Sequence, residues 1–129
     1  MLERFFELYD QADGVTGHYI RKHDLPILNG ALMEVGLPTL GRKLTSDTCL
    51  DLIRRKDISR SQAALADLYG VEAPKVGMSQ KDWRAANRLT PEGIAGTKGR
   101  VIGDVHQHKA LRVALHRAGA LGAPRVWYP

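Results

Sequence analysis

The chain has 129 residues, 43% hydrophobic and 26% charged, which is the size and balance of one small globular domain spanning 1–129. No apolar run approaches about 18 residues, so a membrane-spanning helix is excluded, and the N-terminus MLERFFELYD lacks the layout of a signal peptide. The single cysteine, Cys49, excludes an internal disulfide framework and a multi-cysteine zinc site, and makes a reducing cytoplasm the expected compartment. Nineteen Lys and Arg oppose fourteen Asp and Glu, unevenly placed. Residues 1–50 hold five basic and seven acidic side chains, net −2; residues 51–129 hold fourteen and seven, net +7. A basic second half suits a polyanionic partner.

In chain order, Leu2, Phe5, Phe6, Leu8, Tyr9 and Ala12 form an apolar stripe that predicts a helix over 2–12, ended by Asp13-Gly14. Residues 15–20, VTGHYI, predict a short strand. Asp24 reads as the N-cap of a second helix, with Pro26 tolerated in its first turn and Gly36 stopping it. Residues 37–46 read as a loop, and Ser46 or Asp47 as the cap of a helix carrying Cys49, Leu50, Leu52 and Ile53. Ser59-Arg60-Ser61-Gln62 and Ser79-Gln80-Lys81-Asp82 are capping-box patterns. The first opens a helix that ends at Gly70. Thr90-Pro91-Glu92 places a cap and then a proline at the first helical position. A long final helix is expected from about Gly99 to Ala118, with Gly93, Gly96, Gly99 and Gly103 weakening its start, followed by an irregular GAPRVWYP tail. The expected fold class is α/β, predominantly helical. A lone strand leaves its backbone groups in need of partners.

Three constellations carry chemistry. In GHYIRKHDLPIL a strand leads through a tight turn to Asp24, at the end of a strand where α/β folds bind ligands. A carboxylate there suits a divalent cation, and the plainer use of Asp24 is to cap the helix. In RVIGDVHQH, Arg100, Asp104 and His108 follow at i, i+4 steps on one helix face, with Val101, Val105, Leu111 and Leu115 as the buried stripe beside them. The plainer reading there is an exposed Arg100–Asp104 ion pair. SQAALADLYGV resembles the first helix and turn of a helix-turn-helix, although Pro74 and Gly77 fall in the expected second helix.

Taken in order, these segments resemble the DEDD superfamily of ribonuclease H-like 3′–5′ exonucleases, in the compact style of bacteriophage-encoded members. GHYIRKHDLPIL resembles the family's second motif, and Ser46-Asp47-Thr48 the Asp-Thr that follows it. SRSQAALADLYGV resembles the next helix and turn, and GDVHQHKALRVAL the third motif. The chain has no counterpart of the first motif, Asp-x-Glu on the first strand. Tyr19 replaces the second motif's Asn and His23 its Phe. Arg100 and Gly99 stand where the family places its general base, so that His108 or His106 would have to substitute.

The resemblance implies a partial ribonuclease H-like fold with the first strands of the sheet missing. It also implies a two-metal mechanism in which four carboxylates hold two Mg²⁺ or Mn²⁺ ions roughly 4 Å apart. Asp24 and Asp104 would be two of those ligands, with His108 a candidate catalytic base. The implied partner is the 3′ end of single-stranded DNA or RNA, with Lys75, Lys81, Arg84, Arg88, Arg100 and Lys109 as candidate phosphate contacts and Tyr19 and Trp83 as possible stacking residues. With half of the metal ligands absent, the chain alone is expected to be a poor nuclease. It is expected to pair the open strand edge with a second copy or with a polypeptide supplying the missing strands. The compartment would be the host cytoplasm for a phage-encoded protein. The alternatives are a non-catalytic nucleic-acid-binding or interaction module and, third, a helix-turn-helix regulator.

Overall fold

A computed structural model describes residues 1–53, 57–72 and 77–129. Among the described residues, five helices and a three-stranded mixed sheet make an α/β fold: α1 (Leu2–Gln11), β1 (Gly14–Gly17), α2 (Asp24–Glu34), β2 (Lys43–Asp47), α3 (Gln62–Leu68), α4 (Gln80–Asn87), α5 (Pro91–Arg117) and β3 (Arg125–Trp127). The chain forms two compact units, one of Met1–Arg60 with Ala118–Pro129 and one of Ser61–Arg117.

The first unit is built on the sheet, in the order β1-β2-β3. β1 pairs parallel with β2 (Gly14 with Leu44, Gly17 with Asp47), and β3 runs antiparallel on the other side of β2 (Lys43 with Trp127). Tyr9, Leu25, Leu32, Leu40 and Trp127 form the core, with Phe5, Phe6, Val15 and Ile20 half-buried against it. The apolar stripe of α1 is therefore used as its spacing predicts through Leu2, Phe5, Phe6 and Tyr9, but not through Leu8, which is exposed. Lys43 extends across the end of α1, its Nζ donating to the carbonyls of Asp10 and Ala12 and lying 5.0 Å from the centre of the Tyr9 ring. The Tyr9 hydroxyl donates to the Gly41 carbonyl at 2.7 Å, and burial raises its pKa.

The sheet corrects the strand reading. β2 falls where a loop is expected, because its pattern is inverted. Thr45 and Asp47 are fully buried while Leu44, the one apolar residue of the strand, is exposed. Thr45 is tolerated inside because its hydroxyl donates to the Arg125 carbonyl at 2.7 Å. That contact also holds β3, three residues too short to be visible as a strand and expected to be irregular. The helix expected over Cys49–Ile53 is absent. The chain turns after Asp47 and then extends, with Leu52 bridged to Leu121 and the Ile53 N–H donating to Ala120.

In the second unit the caps at Ser79 and Thr90 behave as their chemistry predicts, whereas the capping box read over Ser59–Gln62 does not form: Ser61, two residues later, accepts from the Ala64 N–H and opens α3, with Gln62 its first residue. Ser79 and Asp82 make the full reciprocal capping box on α4. Thr90 accepts from the Gly93 N–H and opens α5. Helices α2, α3 and α4 each end in paired 6→1 and 5→2 backbone bonds, with Gly36, Gly70 and Leu89 in the left-handed region. Helix α5 starts at Pro91, so the glycines do not delay it. Gly93 is the place where α5 crosses α4: a Cβ there would run into the backbone of Ala85 and Ala86. Leu111 and Leu115 are fully buried as expected, but Val101 and Val105 are 54% and 60% exposed, because the buried stripe passes instead through Gln107 and His108. Val71, Glu72 and Gly77–Ser79 are irregular, so the described part of the expected second helix of a helix-turn-helix is not helical. Among the described residues no helix is long and apolar enough to cross a membrane.

The two kinds of glycine in α5 should respond oppositely to alanine. Gly93→Ala should destabilise the second unit by about 1–3 kcal/mol through overpacking against α4. Gly96→Ala and Gly99→Ala, which meet nothing within 4 Å, should each stabilise it by about 0.5–1 kcal/mol. Chemical denaturation of the three variants checks both signs.

Candidate functional site at the carboxyl ends of β1 and β2

Parallel strands β1 and β2 end together at Gly17 and Asp47, and the chain leaves each through a turn. Asp47 is completely buried and its carboxylate organises both turns. Its Oδ1 accepts from the backbone N–H groups of Tyr19 (2.9 Å), Cys49 (3.0 Å) and Leu50 (3.0 Å), and its Oδ2 from that of Arg21 (3.2 Å). The bonds to Cys49 and Leu50 are the local capping bonds that the sequence suggests. Those to Tyr19 and Arg21 reach across the sheet to the β1–α2 turn. Hence the residue expected to start a helix ties two loops together.

A second buried acid extends the network. Asp51 accepts from the Asp47 N–H at 2.9 Å and from the Arg21 guanidinium, with which it forms a buried ion pair. Arg125 on β3 approaches its other oxygen at 3.7 Å. The Trp127 indole donates to the Arg21 carbonyl at 3.2 Å. Neither Arg21 nor Asp51 stands out in the sequence. They are an ordinary surface-type pair thirty residues apart, and only the folded chain puts them inside.

His18 sits beside this network, its Nδ1 2.9 Å from the Thr48 hydroxyl. Burial lowers its pKa, opposed by the charges of Asp47 and Asp24 and by a hydrogen bond to the Arg60 backbone. Burial and the neighbouring Asp47 push the Cys49 thiol up, which keeps it protonated and a poor nucleophile.

Asp24 differs from the expected helix cap. It is the first residue of α2, the capping position falls to His23, and no side chain caps the helix. Among the described residues no hydrogen bond engages the exposed Asp24 carboxylate, which stands free in the first turn. Asp104 lies in the second unit, half-exposed and paired with Arg100 at 3.6 Å. The Asp104 carbonyl accepts from Gln62 of α3 at 3.0 Å. His108 is buried on the packed side of α5, whereas His106 is exposed. Lys81, Arg84 and Arg88 occupy one exposed face at α4, and the Arg100 guanidinium lies 5.8 Å from the centre of the half-exposed Trp83 ring. Lys109 is exposed on α5. Lys75 lies outside the described residues.

The donor set can be weighed against a two-metal centre. Asp47 spends both oxygens on backbone N–H groups; Asp51 spends its Oδ2 on the Asp47 N–H and Arg21, while its buried Oδ1 makes no hydrogen bond among the described residues and is approached by Arg125 at 3.7 Å, so that Asp24 is the exposed carboxylate left without a hydrogen bond at the strand ends among the described residues. Hard divalent cations take on the order of six oxygen ligands. Among the described residues no group of three or more His, Cys, Asp or Glu could hold a metal ion. The residues at the strand ends do not by themselves fit a pair of Mg²⁺ or Mn²⁺ ions. Comparison with family models, with curated proteins and with solved structures finds no match for the chain.

Two outcomes are expected. Asp47→Ala would leave four backbone N–H groups without their acceptor, and should lower stability by about 3 kcal/mol or more, read by denaturation. For His18, a folded-state pKa below the unfolded value means that the unfolded chain binds the extra proton. Stability should therefore be complete above the unfolded pKa of about 6.5 and fall as pH drops below it. Melting temperatures on either side of that pH should diverge in the native chain and converge in His18→Gln.

Proposed function

We propose that this chain is an exonuclease-like nucleic-acid-binding domain, of the ribonuclease H-like type, that engages the 3′ end of single-stranded DNA or RNA and cleaves it poorly when alone. The observation that carries the reading is the free Asp24 carboxylate in the first turn of α2, just beyond the carboxyl ends of a parallel strand pair. That is where open α/β sheets bind their ligands, and Asp24 is spared the capping duty that would explain it otherwise. The resemblance of GHYIRKHDLPIL and GDVHQHKALRVAL to the family's second and third motifs supports the same reading and supplies Asp24 and Asp104 as candidate carboxylates. The shortage of further uncommitted acids argues for weak catalysis. The same shortage favours a non-catalytic nucleic-acid-binding module as the neighbouring reading.

Lys81, Arg84 and Arg88 give the second unit a cationic strip suited to a phosphate backbone. The expected outcome is binding of an end-labelled single strand at low salt, with little or no digestion on adding Mg²⁺ or Mn²⁺. Replacing Lys81, Arg84 and Arg88 together by alanine should weaken binding and reduce the slope of log K against log salt by about 2. Robust digestion abolished by Asp104→Ala would show that a complete site exists and overturn the inefficient-nuclease reading. Absence of binding at low salt would overturn the nucleic-acid reading itself.

A further inference from the structure

Two non-glycine residues among those described have a left-handed backbone, Tyr19 (φ 63°) and Leu89 (φ 55°). Leu89 is explained by its place. It follows α4 and supplies the left-handed step that closes the helix. Tyr19 ends no helix. It lies in the turn between β1 and α2, and an aromatic side chain is a poor choice for that conformation. Strain of this kind persists where the surroundings over-determine it, and it clusters at ligand sites.

Tyr19 is held at both ends of its peptide unit. Its N–H donates to the buried Asp47 carboxylate at 2.9 Å, and its carbonyl accepts from the N–H groups of Lys22 and His23 at 3.3 and 3.2 Å. The side chain contributes little to this anchoring. The residue is 42% exposed, and no hydrogen bond engages its hydroxyl among the described residues. Thus a buried acid, a turn and a strained backbone fix an exposed ring in the turn that leads from the carboxyl end of β1 to the free Asp24. The exposed cation Lys22 stands three residues along the same turn.

We infer that Tyr19 is a base-stacking platform, presenting its ring to an unstacked nucleobase of single-stranded nucleic acid. Tyr19 has that role only if the chain binds nucleic acid as proposed above. Rigid aromatic surface beside positive charge is the combination that holds single strands without reading their sequence. An aromatic ring with two side-chain torsions on a pinned backbone loses little entropy on binding. The strain makes the role separable from folding, because a residue that accepts the left-handed region relieves it.

The experiment compares the native chain with Tyr19→Phe, Tyr19→Asn and Tyr19→Gly in two measurements. Thermal melts of Tyr19→Gly and Tyr19→Asn should be unchanged or higher, since both residues tolerate positive φ. Binding is read by anisotropy against a labelled oligothymidylate and against an abasic strand of equal length. The native chain and Tyr19→Phe should prefer the base-bearing strand by about tenfold or more. Tyr19→Gly and Tyr19→Asn should lose most of that preference while binding the abasic strand as the native chain does. An undiminished preference in Tyr19→Gly would overturn the inference and leave nucleic-acid binding standing. A clearly lower melting temperature in Tyr19→Gly would assign the ring to packing and also overturn it. Failure of the native chain to bind either strand would overturn the nucleic-acid reading together with this inference.

Discussion

The first unit depends on one buried carboxylate. Asp47 lies at the end of the central strand with no exposure to solvent, and four backbone N–H groups converge on it. An ionised carboxylate is tolerated in such a place only when its lone pairs are filled. The two turns that follow β1 and β2 fill them, so neither turn can relax without stranding either the charge or its donors. The Arg21–Asp51 ion pair lies one layer out, less completely satisfied because Asp51 Oδ1 and Arg21 Nε make no hydrogen bond among the described residues, and it brings in the short strand β3 through Arg125 and Trp127. Polar interactions thus join the three segments at their ends, beside the apolar packing of Trp127 in the core and Val15 against it.

The same constraint sorts the acids by task. Asp47 is filled by backbone N–H groups and Asp51 is buried against Arg21, so both are poorly available to a ligand. Asp24, at the start of α2 after the turn that follows β1, makes no hydrogen bond among the described residues, and its position beyond two parallel strand ends is what gives it functional interest. Asp47 also shapes the site indirectly, by fixing Tyr19 in a backbone conformation that an isolated tyrosine would avoid. The exposed Tyr19 turn and the buried scaffold are therefore linked through Asp47.

The second unit is organised differently, by close helix approach and by caps. Gly93 lets α5 lie against α4 at backbone distance, while Ser61, Ser79 and Thr90 supply the hydrogen bonds that helix starts lack. Lys81, Arg84, Arg88, Lys98, Lys109 and Arg117 remain exposed on this scaffold, and its buried residues include Leu65, Ala66, Leu111 and Leu115 together with Gly93, Gln107 and His108.

Local chemistry alone sufficed for the helix starts at Ser61, Ser79 and Thr90, the stops at Gly36 and Gly70, the stripe of α1 and the strand near Val15. Each of these is decided by residues within one or two turns of one another. The free acid at Asp24 was legible as a position, although not as an uncapped carboxylate. The strands β2 and β3 were not legible, because β2 buries the polar run Thr45, Ser46 and Asp47 and exposes Leu44, a pattern that makes sense only once partners from Arg125, Tyr19 and Arg21 arrive. The pairing of Arg21 with Asp51, the exposure of Val101 and Val105 and the burial of His108 were decided by the folded chain. A polar residue belongs inside only when a distant segment brings its hydrogen bonds, and nothing in its immediate sequence records which segment that is.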